Sequence, residues 1–259
     1  QHLRYVLIDR SPAMREMQRR NLAPWLDRPD LLAWADDLST VAPHGLTGLL
    51  FSNELVDSFP VHRVQVTAEG TKELWVDHRD GQFIECLKPL SSDALAEHLD
   101  RLNPEWPEGY RTEINLRALD WMKELAQHLD RGFVLTIDYG HTAQDLYRSD
   151  RKGGTFLCYS QQSVNEDPFL RVGGQDMTAH VDFSCLAATG EEQGLQTTGF
   201  TNQMSFLMGL GVEQMIAKLE QDSPEFNAAI HLLRPNGMGT TFKVLIQHKG
   251  IVRPELDGL

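Results

Sequence analysis

The sequence contains little cysteine, no long apolar run and no excess of basic residues. Its three cysteines (Cys86, Cys158 and Cys185) are far apart in 259 residues, which argues against a disulfide framework or a cysteine-rich zinc site. No apolar run reaches the roughly 18 residues that a membrane span requires. The net charge of −13 argues against a protein that binds duplex nucleic acid, which would need a basic face. We therefore expect no metal, no membrane span and no nucleic acid partner.

Several catalytic signatures are also missing. The ten histidines form no HExxH motif. No GxSxG nucleophile elbow is present, and Ser184 lies near His180 and Asp182 only because the three are close in sequence. A hydrolase or a zinc enzyme is therefore disfavoured.

Apolar runs that end in acidic or amide residues predict a mainly parallel sheet covered on both faces. Strands are predicted at 4–9, 31–35, 46–51, 133–138, 195–200 and 241–246. Ser11-Pro12 is typical of a helix start. A long helix is predicted from Ile114 to Leu129, with Gly132 as its stop signal, and a helical stretch over 203–221 is broken near Gly211.

Two segments interrupt this pattern. Alternating apolar and polar residues over 61–90 predict an inserted β-meander with one wet face. The long, glycine-rich segment 141–181 shows little periodicity, which is typical of a functional insertion. We expect residues 1–60 to form the first part of an α/β core and residues 91–259 to form the rest, with a loop at 103–109. Because Gln1-His2 leads directly into a buried-strand pattern, we also expect the core to be incomplete at its N-terminal side.

Polar side chains follow four of the predicted strands: Asp9, Asp36 with Asp37, Asn53 with Glu54, and Asp138. In an open α/β sheet such strand ends share one edge, where ligands bind. An acid after the second strand of a nucleotide-binding half accepts hydrogen bonds from ribose hydroxyls, so the set suits S-adenosylmethionine as well as a dinucleotide. Local roles are the alternatives: Asp9 would lead into a helix cap, and Glu54 would be a helix-start carboxylate.

The chain resembles the MidA-like methyltransferases, relatives of a mitochondrial complex I assembly protein-arginine methyltransferase. The segments that carry the resemblance are LLFSNELVDSFPVHRV, TEINLRALDWM, GFVLTIDYG, GTFLCYSQQ, GGQDMTAHVDF and MGTTFKVL. The resemblance implies a Rossmann-like class I methyltransferase sheet with a reversed last strand at 241–248. One feature departs from the family: its glycine-rich loop, which follows its first strand, has no counterpart in this sequence. The first central strand would therefore be missing as well.

The resemblance also implies S-adenosyl-L-methionine as the cofactor and a role for each candidate residue. The implied cofactor-binding residues are Asp9 at the ribose, Asp36, Asp37 and Leu38 at the adenine, and Asn53 at the methionine end. The implied catalytic residues are Glu54 and Asp57. The implied substrate-side residues are Tyr139, Asp176, Thr178 and His180. For His180 a structural histidine is an equal alternative, and Asp182 is expected to cap the helix that follows it.

The resulting hypothesis is a methyltransferase that modifies arginine in a protein partner such as a respiratory complex I subunit. Glu54 and Asp57 would hold the guanidinium and orient the attacking nitrogen. A cofactor-free, methyltransferase-like assembly scaffold and a nicotinamide-dependent oxidoreductase are the alternatives. The bacterial cytoplasm and the mitochondrial matrix both fit the composition.

Overall fold

The computed structural model describes residues 3–102, 105–161 and 163–259. Within these residues the strands are β1 (Tyr5–Ile8), β2 (Leu32–Ala35), β3 (Leu46–Asn53), β4 (His62–Thr67), β5 (Gly70–Arg79), β6 (Gln82–Lys88), β7 (Arg111–Ile114), β8 (Leu129–His141), β9 (Leu157–Ser160), β10 (Ser163–Asn165), β11 (Asp176–Thr178), β12 (Val181–Asp182), β13 (Gln196–Asn202) and β14 (Phe242–Lys249). The helices are α1 (Pro12–Asn21), α2 (Leu38–Val41), α3 (Asp93–Leu102), α4 (Leu116–His128), α5 (Ala143–Leu146), α6 (Phe183–Glu192), α7 (Gln203–Gly209), α8 (Val212–Ile216), α9 (Pro224–Leu233) and α10 (Met238–Thr241). None of these helices is long and apolar enough to cross a membrane.

A mixed sheet in the order β3-β8-β14-β13 forms the centre of the fold, and β12 pairs with the end of β8. β3 runs parallel to β8, whereas β14 runs antiparallel to both β8 and β13. The predicted reversal of the last strand is therefore confirmed. Alternate residues of β8 from Gly132 to Gly140 are buried, so one face of this strand belongs to the core. Helices α4 and α6 contribute Met122 and Leu186 to that core.

β1 and β2 form a separate parallel pair, connected by α1. Ser11 caps α1 by accepting a hydrogen bond from the Met14 N–H at 3.3 Å, as its position before Pro12 predicts. Among the described residues, no backbone ladder joins this pair to the central sheet. The predicted continuous sheet is thus present in two parts. Among the described residues β3 is an edge strand of the central sheet, and its residues Leu49 and Phe51 are 57% and 53% exposed.

The predicted meander forms from β4, β5 and β6, but its sheet is larger than the 61–90 segment. Strand β7 pairs antiparallel with β4 and completes a four-stranded sheet. Ile114 therefore ends a strand, and its prediction as part of a helix is wrong. Asn115 caps α4 instead, because its side chain accepts the Ala118 N–H at 2.9 Å.

The predicted helix stop at Gly132 is also wrong. Helix α4 ends at His128, and β8 begins with the next residue. Gly132 lies inside β8 with φ at +140°, where a β-carbon would lie 1.8 Å from the carbonyl oxygen of Gly48. This glycine therefore permits the close pairing of β3 and β8.

The segment 141–181 has structure of its own, namely α5 and the three-stranded sheet β10-β9-β11. Asp182 caps α6, as predicted, by accepting the Cys185 N–H at 3.0 Å. Two expectations fall partly on residues outside the described ranges: the loop beginning at Asn103-Pro104, and the approach to the first strand through Gln1-His2.

Candidate active site

The loop after β3 is held by a buried carboxylate. Glu54 has a left-handed φ of +48°, and its N–H donates to the Ile137 carbonyl at 3.0 Å. The Asp138 carboxylate then accepts the N–H groups of Val56 at 2.9 Å and Asp57 at 3.3 Å. Since a buried backbone N–H must find an acceptor, Asp138 determines the path of the loop that carries the two predicted catalytic acids.

Two further hydrogen bonds connect this loop to other parts of the fold. The Asn115 side chain donates to the Val56 carbonyl at 3.1 Å, and the Ala179 N–H donates to the Asp57 carbonyl at 3.0 Å. The loop is therefore fixed to the start of α4 and to the end of the 141–181 insertion. Asp57 lies where these elements meet.

The Asp57 carboxylate is 4% exposed, and its two oxygens differ. Its Oδ2 accepts a hydrogen bond from the Tyr139 hydroxyl, whereas Oδ1 has no partner among the described residues. Burial raises the pKa of Asp57, and the Tyr139 hydrogen bond opposes that rise. Burial and the same hydrogen bond raise the pKa of Tyr139, so this residue remains a donor. A buried carboxylate oxygen without a partner is costly unless a ligand donates to it.

Asp138 is fully buried on the core face of β8. Burial, followed by the charge of Asp57, raises the pKa of Asp138 to about 7, although three backbone N–H groups favour the carboxylate. The sequence predicts Asp138 at a strand end, among the polar groups that follow the predicted strands, but it predicts no role for Asp138 in holding this loop. The available signal is an acid that continues a buried strand pattern.

His180 packs between two aromatic rings at the same site. Its ring centroid lies 5.5 Å from that of Tyr139 and 5.2 Å from that of His141, and its backbone N–H donates to the Thr155 hydroxyl at 3.0 Å. Burial, then the neighbouring His141 and Arg151, lower the pKa of His180 to about 4. The ring is therefore neutral near pH 7.

These residues surround a cavity of about 440 Å³, here called the acidic cavity. All six of the predicted catalytic and substrate-side residues line it: Glu54, Asp57, Tyr139, Asp176, Thr178 and His180. Tyr159, Thr241 and Phe242 also line it and were not predicted. Among the described residues the lining contains three carboxylates and no lysine or arginine, so the cavity favours a cationic ligand.

Two of the predicted cofactor residues meet at the ends of β1 and β2. Asp9 accepts hydrogen bonds from the Ser11 N–H at 2.9 Å and from the Gln18 side chain at 2.8 Å. The Arg15 guanidinium donates to the Asp9 carbonyl at 3.1 Å and forms an ion pair with Asp36. The structure thus brings Asp9 and Asp36 together, as the strand-end argument predicts.

The other predicted cofactor residues have visible local roles. Asp37 caps α2 by accepting the Thr40 N–H at 2.9 Å, and hydrogen bonds from Ser39 and Thr40 lower its pKa. Leu38 is buried in the core. Asn53 is exposed at the end of β3 and donates to the Glu54 side chain at 3.2 Å. For all five of the predicted cofactor-binding residues, contact with a cofactor stays a prediction.

Residues 1–201 match the model of a family described as "Putative S-adenosyl-L-methionine-dependent methyltransferase". A similar curated protein is the "Protein arginine methyltransferase NDUFAF7 homolog, mitochondrial" of Drosophila melanogaster, with 27% identity over 228 residues, covering 83% of this chain and 50% of that protein. The protein arginine methyltransferase NDUFAF7 of Homo sapiens is 27% identical over 235 residues, covering 84% of this chain and 49% of the human protein. The chain thus spans about half the length of these curated relatives.

Two crystal structures of proteins from Burkholderia thailandensis share the fold. One, described as a "likely methyl transferase" bound to S-adenosyl-homocysteine, has a TM-score of 0.89 and 31% sequence identity, covering 98% of this chain and 66% of that chain. The other is a high-resolution native structure with a TM-score of 0.89 and 32% identity, covering 98% of this chain and 68% of that chain. At this identity and coverage, the two proteins are similar to this chain in sequence as well as in fold.

Proposed function

Since this chain belongs to the family of S-adenosyl-L-methionine-dependent methyltransferases, we propose that it takes part in transferring the methyl group of that cofactor to an arginine of a protein. The acidic cavity is the observation that carries the arginine assignment. A guanidinium is a planar cation with five N–H donors, and carboxylates bind it through paired hydrogen bonds. The three carboxylates that line the cavity are such acceptors, and Oδ1 of Asp57 has no partner among the described residues. The names of the curated relatives support the same substrate.

In this proposal the residues in and around the cavity have different roles. When bound, the cofactor supplies a methyl group already activated by the sulfonium. Glu54 and Asp57 hold the outer nitrogens of the guanidinium, which aligns the attacking nitrogen and localises its lone pair. Tyr139 keeps Asp57 in place by donating to Oδ2, and Asp138 holds the loop. The proton released by the methylated nitrogen passes to Asp57 Oδ1.

The described residues fit the adenosine and sulfonium parts of this cofactor. Asp9 is only partly buried, so its carboxylate keeps lone pairs for ribose hydroxyls besides its bonds to Ser11 and Gln18. The carboxylate lining of the acidic cavity suits a positive sulfonium. Asp36, Asp37 and Leu38 would surround the adenine, and Asn53 would lie at the methionine end.

We also infer that a further strand lies between β1 and β3 in the complete sheet. β3 pairs with β8 on one side, and among the described residues no strand pairs with its other side. Its apolar residues Leu49 and Phe51 are exposed. The Glu54 N–H points to β8, so by alternation the N–H groups of Leu49, Phe51 and Asn53 point to the open edge. Hydrogen exchange in the full-length protein should show these three amides protected; fast exchange would reject the added strand.

The resemblance to complex I assembly methyltransferases favours a respiratory complex I subunit as the protein partner. The names of the curated relatives place them in mitochondria. We propose the bacterial cytoplasm or the mitochondrial matrix as the compartment of this chain.

The Glu54→Gln variant tests the arginine mechanism in the full-length protein. Transfer from radiolabelled S-adenosylmethionine to arginine peptides should fall about 100-fold or more, because a charge-assisted pair to the reacting group is lost. Glu255→Gln, which changes an exposed glutamate outside the cavity lining, is the matched control and should retain activity. Full transfer by a folded Glu54→Gln protein would reject the assigned role.

A further inference from the structure

A second cavity, of about 610 Å³, adjoins the acidic cavity. It lies between the meander strands β4, β5 and β6 and the segment 168–179, and we call it the apolar groove. Three residues line both cavities: Ser58, Asp176 and Thr178. A polypeptide bound in one cavity therefore meets the wall of the other.

The surface of the apolar groove is largely hydrophobic. Trp75, Val76, Phe83 and Met177 line it, and each is at least 40% exposed. Phe169 stacks on Phe83 across the groove at a centroid distance of 6.0 Å. Contiguous exposed apolar surface of this kind, rimmed by polar residues, is typical of an interaction site.

Apart from Asp176, which also lines the acidic cavity, the charged residues that line the groove have partners. Arg63 forms an ion pair with Glu85 and lies over the Phe156 ring, 4.7 Å from its centroid. Glu73 binds His62 at 2.7 Å and accepts the Ser91 N–H at 2.7 Å. These charges are already satisfied, so the groove complements an apolar group, whereas the acidic cavity complements a cation.

Building on the proposed function, we propose that the apolar groove binds a large hydrophobic side chain of the substrate polypeptide, close in sequence to the target arginine. An extended chain advances about 3.3 Å per residue. Because the two cavities share three wall residues, the arginine and the hydrophobic residue are separated by at most a few positions. The groove thus selects which arginine of a protein reaches the acidic cavity.

Fluorescence anisotropy with the full-length protein tests this inference. Each probe is a fluorescein-labelled peptide with one arginine. Phenylalanine is compared with serine at each of the three positions on either side of that arginine, one position at a time. At one or more positions, phenylalanine should tighten binding about tenfold, because its ring leaves water. Val76→Asp, at a site 59% exposed, should abolish this preference. Phe83→Ala is the second groove variant and should weaken it several-fold.

Val252→Asp makes the same change at a site 90% exposed and outside both cavities, and it should keep the preference. Equal binding of all phenylalanine and serine peptides, a preference that survives both groove variants, or no saturable binding would overturn the inference. Replacing the arginine by citrulline tests the proposed function separately. If citrulline peptides bind equally well but retain the phenylalanine preference, the groove assignment stands and the arginine assignment fails.

Discussion

At the scale of single residues, Asp138 couples the stability of the site to pH. Its folded-state pKa of about 7 exceeds its ordinary value of 3.8, so the folded protein binds this proton more tightly. The resulting stabilisation is present below about pH 4 and is lost as the pH rises to about 7. His180 acts in the opposite sense: its pKa is lowered to about 4, so its contribution is lost as the pH falls from about 6.5 through that value.

Asp138→Asn isolates the first effect. The measured quantity is the difference in the free energy of unfolding between the native protein and the variant. This difference should fall by roughly a few kcal/mol as the pH rises from 4.5 to 7.5, because only the native protein has Asp138 to ionise. Urea denaturation of both full-length proteins across this range measures the difference. A difference that does not change with pH would show that Asp138 ionises normally.

Tyr139→Phe removes the donor to Asp57 Oδ2. Without that hydrogen bond, the pKa of Asp57 should rise further, because the bond is the largest contribution that opposes the effect of burial. The ascending limb of the pH profile of kcat/KM should therefore move to higher pH, and the protein should lose about 1–3 kcal/mol of stability. An unshifted limb would separate Tyr139 from the ionisation of Asp57.

Which site residues could be predicted depends on how local their signal is. Glu54 and Asp57 follow an apolar strand pattern that the sequence shows directly. Asp176, Thr178 and His180 lie in one motif, and only the family resemblance indicates them. Tyr159 lines the same cavity, but it comes from a small strand whose position depends on tertiary packing. The role of Asp138 has no local signal, because its side chain accepts hydrogen bonds from backbone groups of another loop, 81 and 82 residues away.

At the scale of elements, periodicity identified the long helix but not its start. Ile114 lies four residues before Ala118, so it matches the helical spacing, yet it pairs with His62 in the meander sheet. Asn115, a good cap residue, marks the true boundary. A cap residue also marks the start of α9. Ser223 precedes Pro224 there, just as Ser11 precedes Pro12 at the start of α1. This signal lies outside the predicted helical stretch 203–221, so that prediction did not include α9.

Gly140 controls how the 141–181 insertion attaches to the core. A β-carbon at this residue would lie 2.2 Å from the Val181 carbonyl oxygen, so alanine must push β12 away from β8. Gly140→Ala should lower stability by about 1–3 kcal/mol and reduce methyl transfer, because His180 precedes β12. Gly153→Ala, in open space, is the matched control. Thermal unfolding and transfer assays measure both; native-like values for Gly140→Ala would contradict this attachment.

At the scale of the whole molecule, periodicity alone does not predict the division of the sheet, whereas the family resemblance does, because it implies a missing first central strand. The strands at 4–9 and 31–35 were predicted, and they pair in parallel as expected. The residues at the strand ends do not indicate which strands are neighbours. The unpaired edge of β3 among the described residues follows only from the observed strand pairing.

The net charge of −13 also has a consequence at this scale. This charge should attract basic substrates at low salt, because the electrostatic screening length is about 30 Å at 0.01 M salt. The attraction should be lost at high salt, because the screening length falls to about 3 Å at 1 M. The KM of a peptide with one arginine and two lysines should rise several-fold between 0.02 and 0.5 M salt. A peptide with serine in place of the lysines should change less, and equal salt dependence would contradict steering by the overall charge.

The most direct measurement is a crystal structure of the full-length protein with S-adenosyl-homocysteine and an arginine peptide. We predict that the guanidinium lies in the acidic cavity, within hydrogen-bonding distance of Glu54 and Asp57, with the adenosine near Asp9 and Asp36. A guanidinium bound elsewhere, or an adenosine in the acidic cavity, would contradict this prediction.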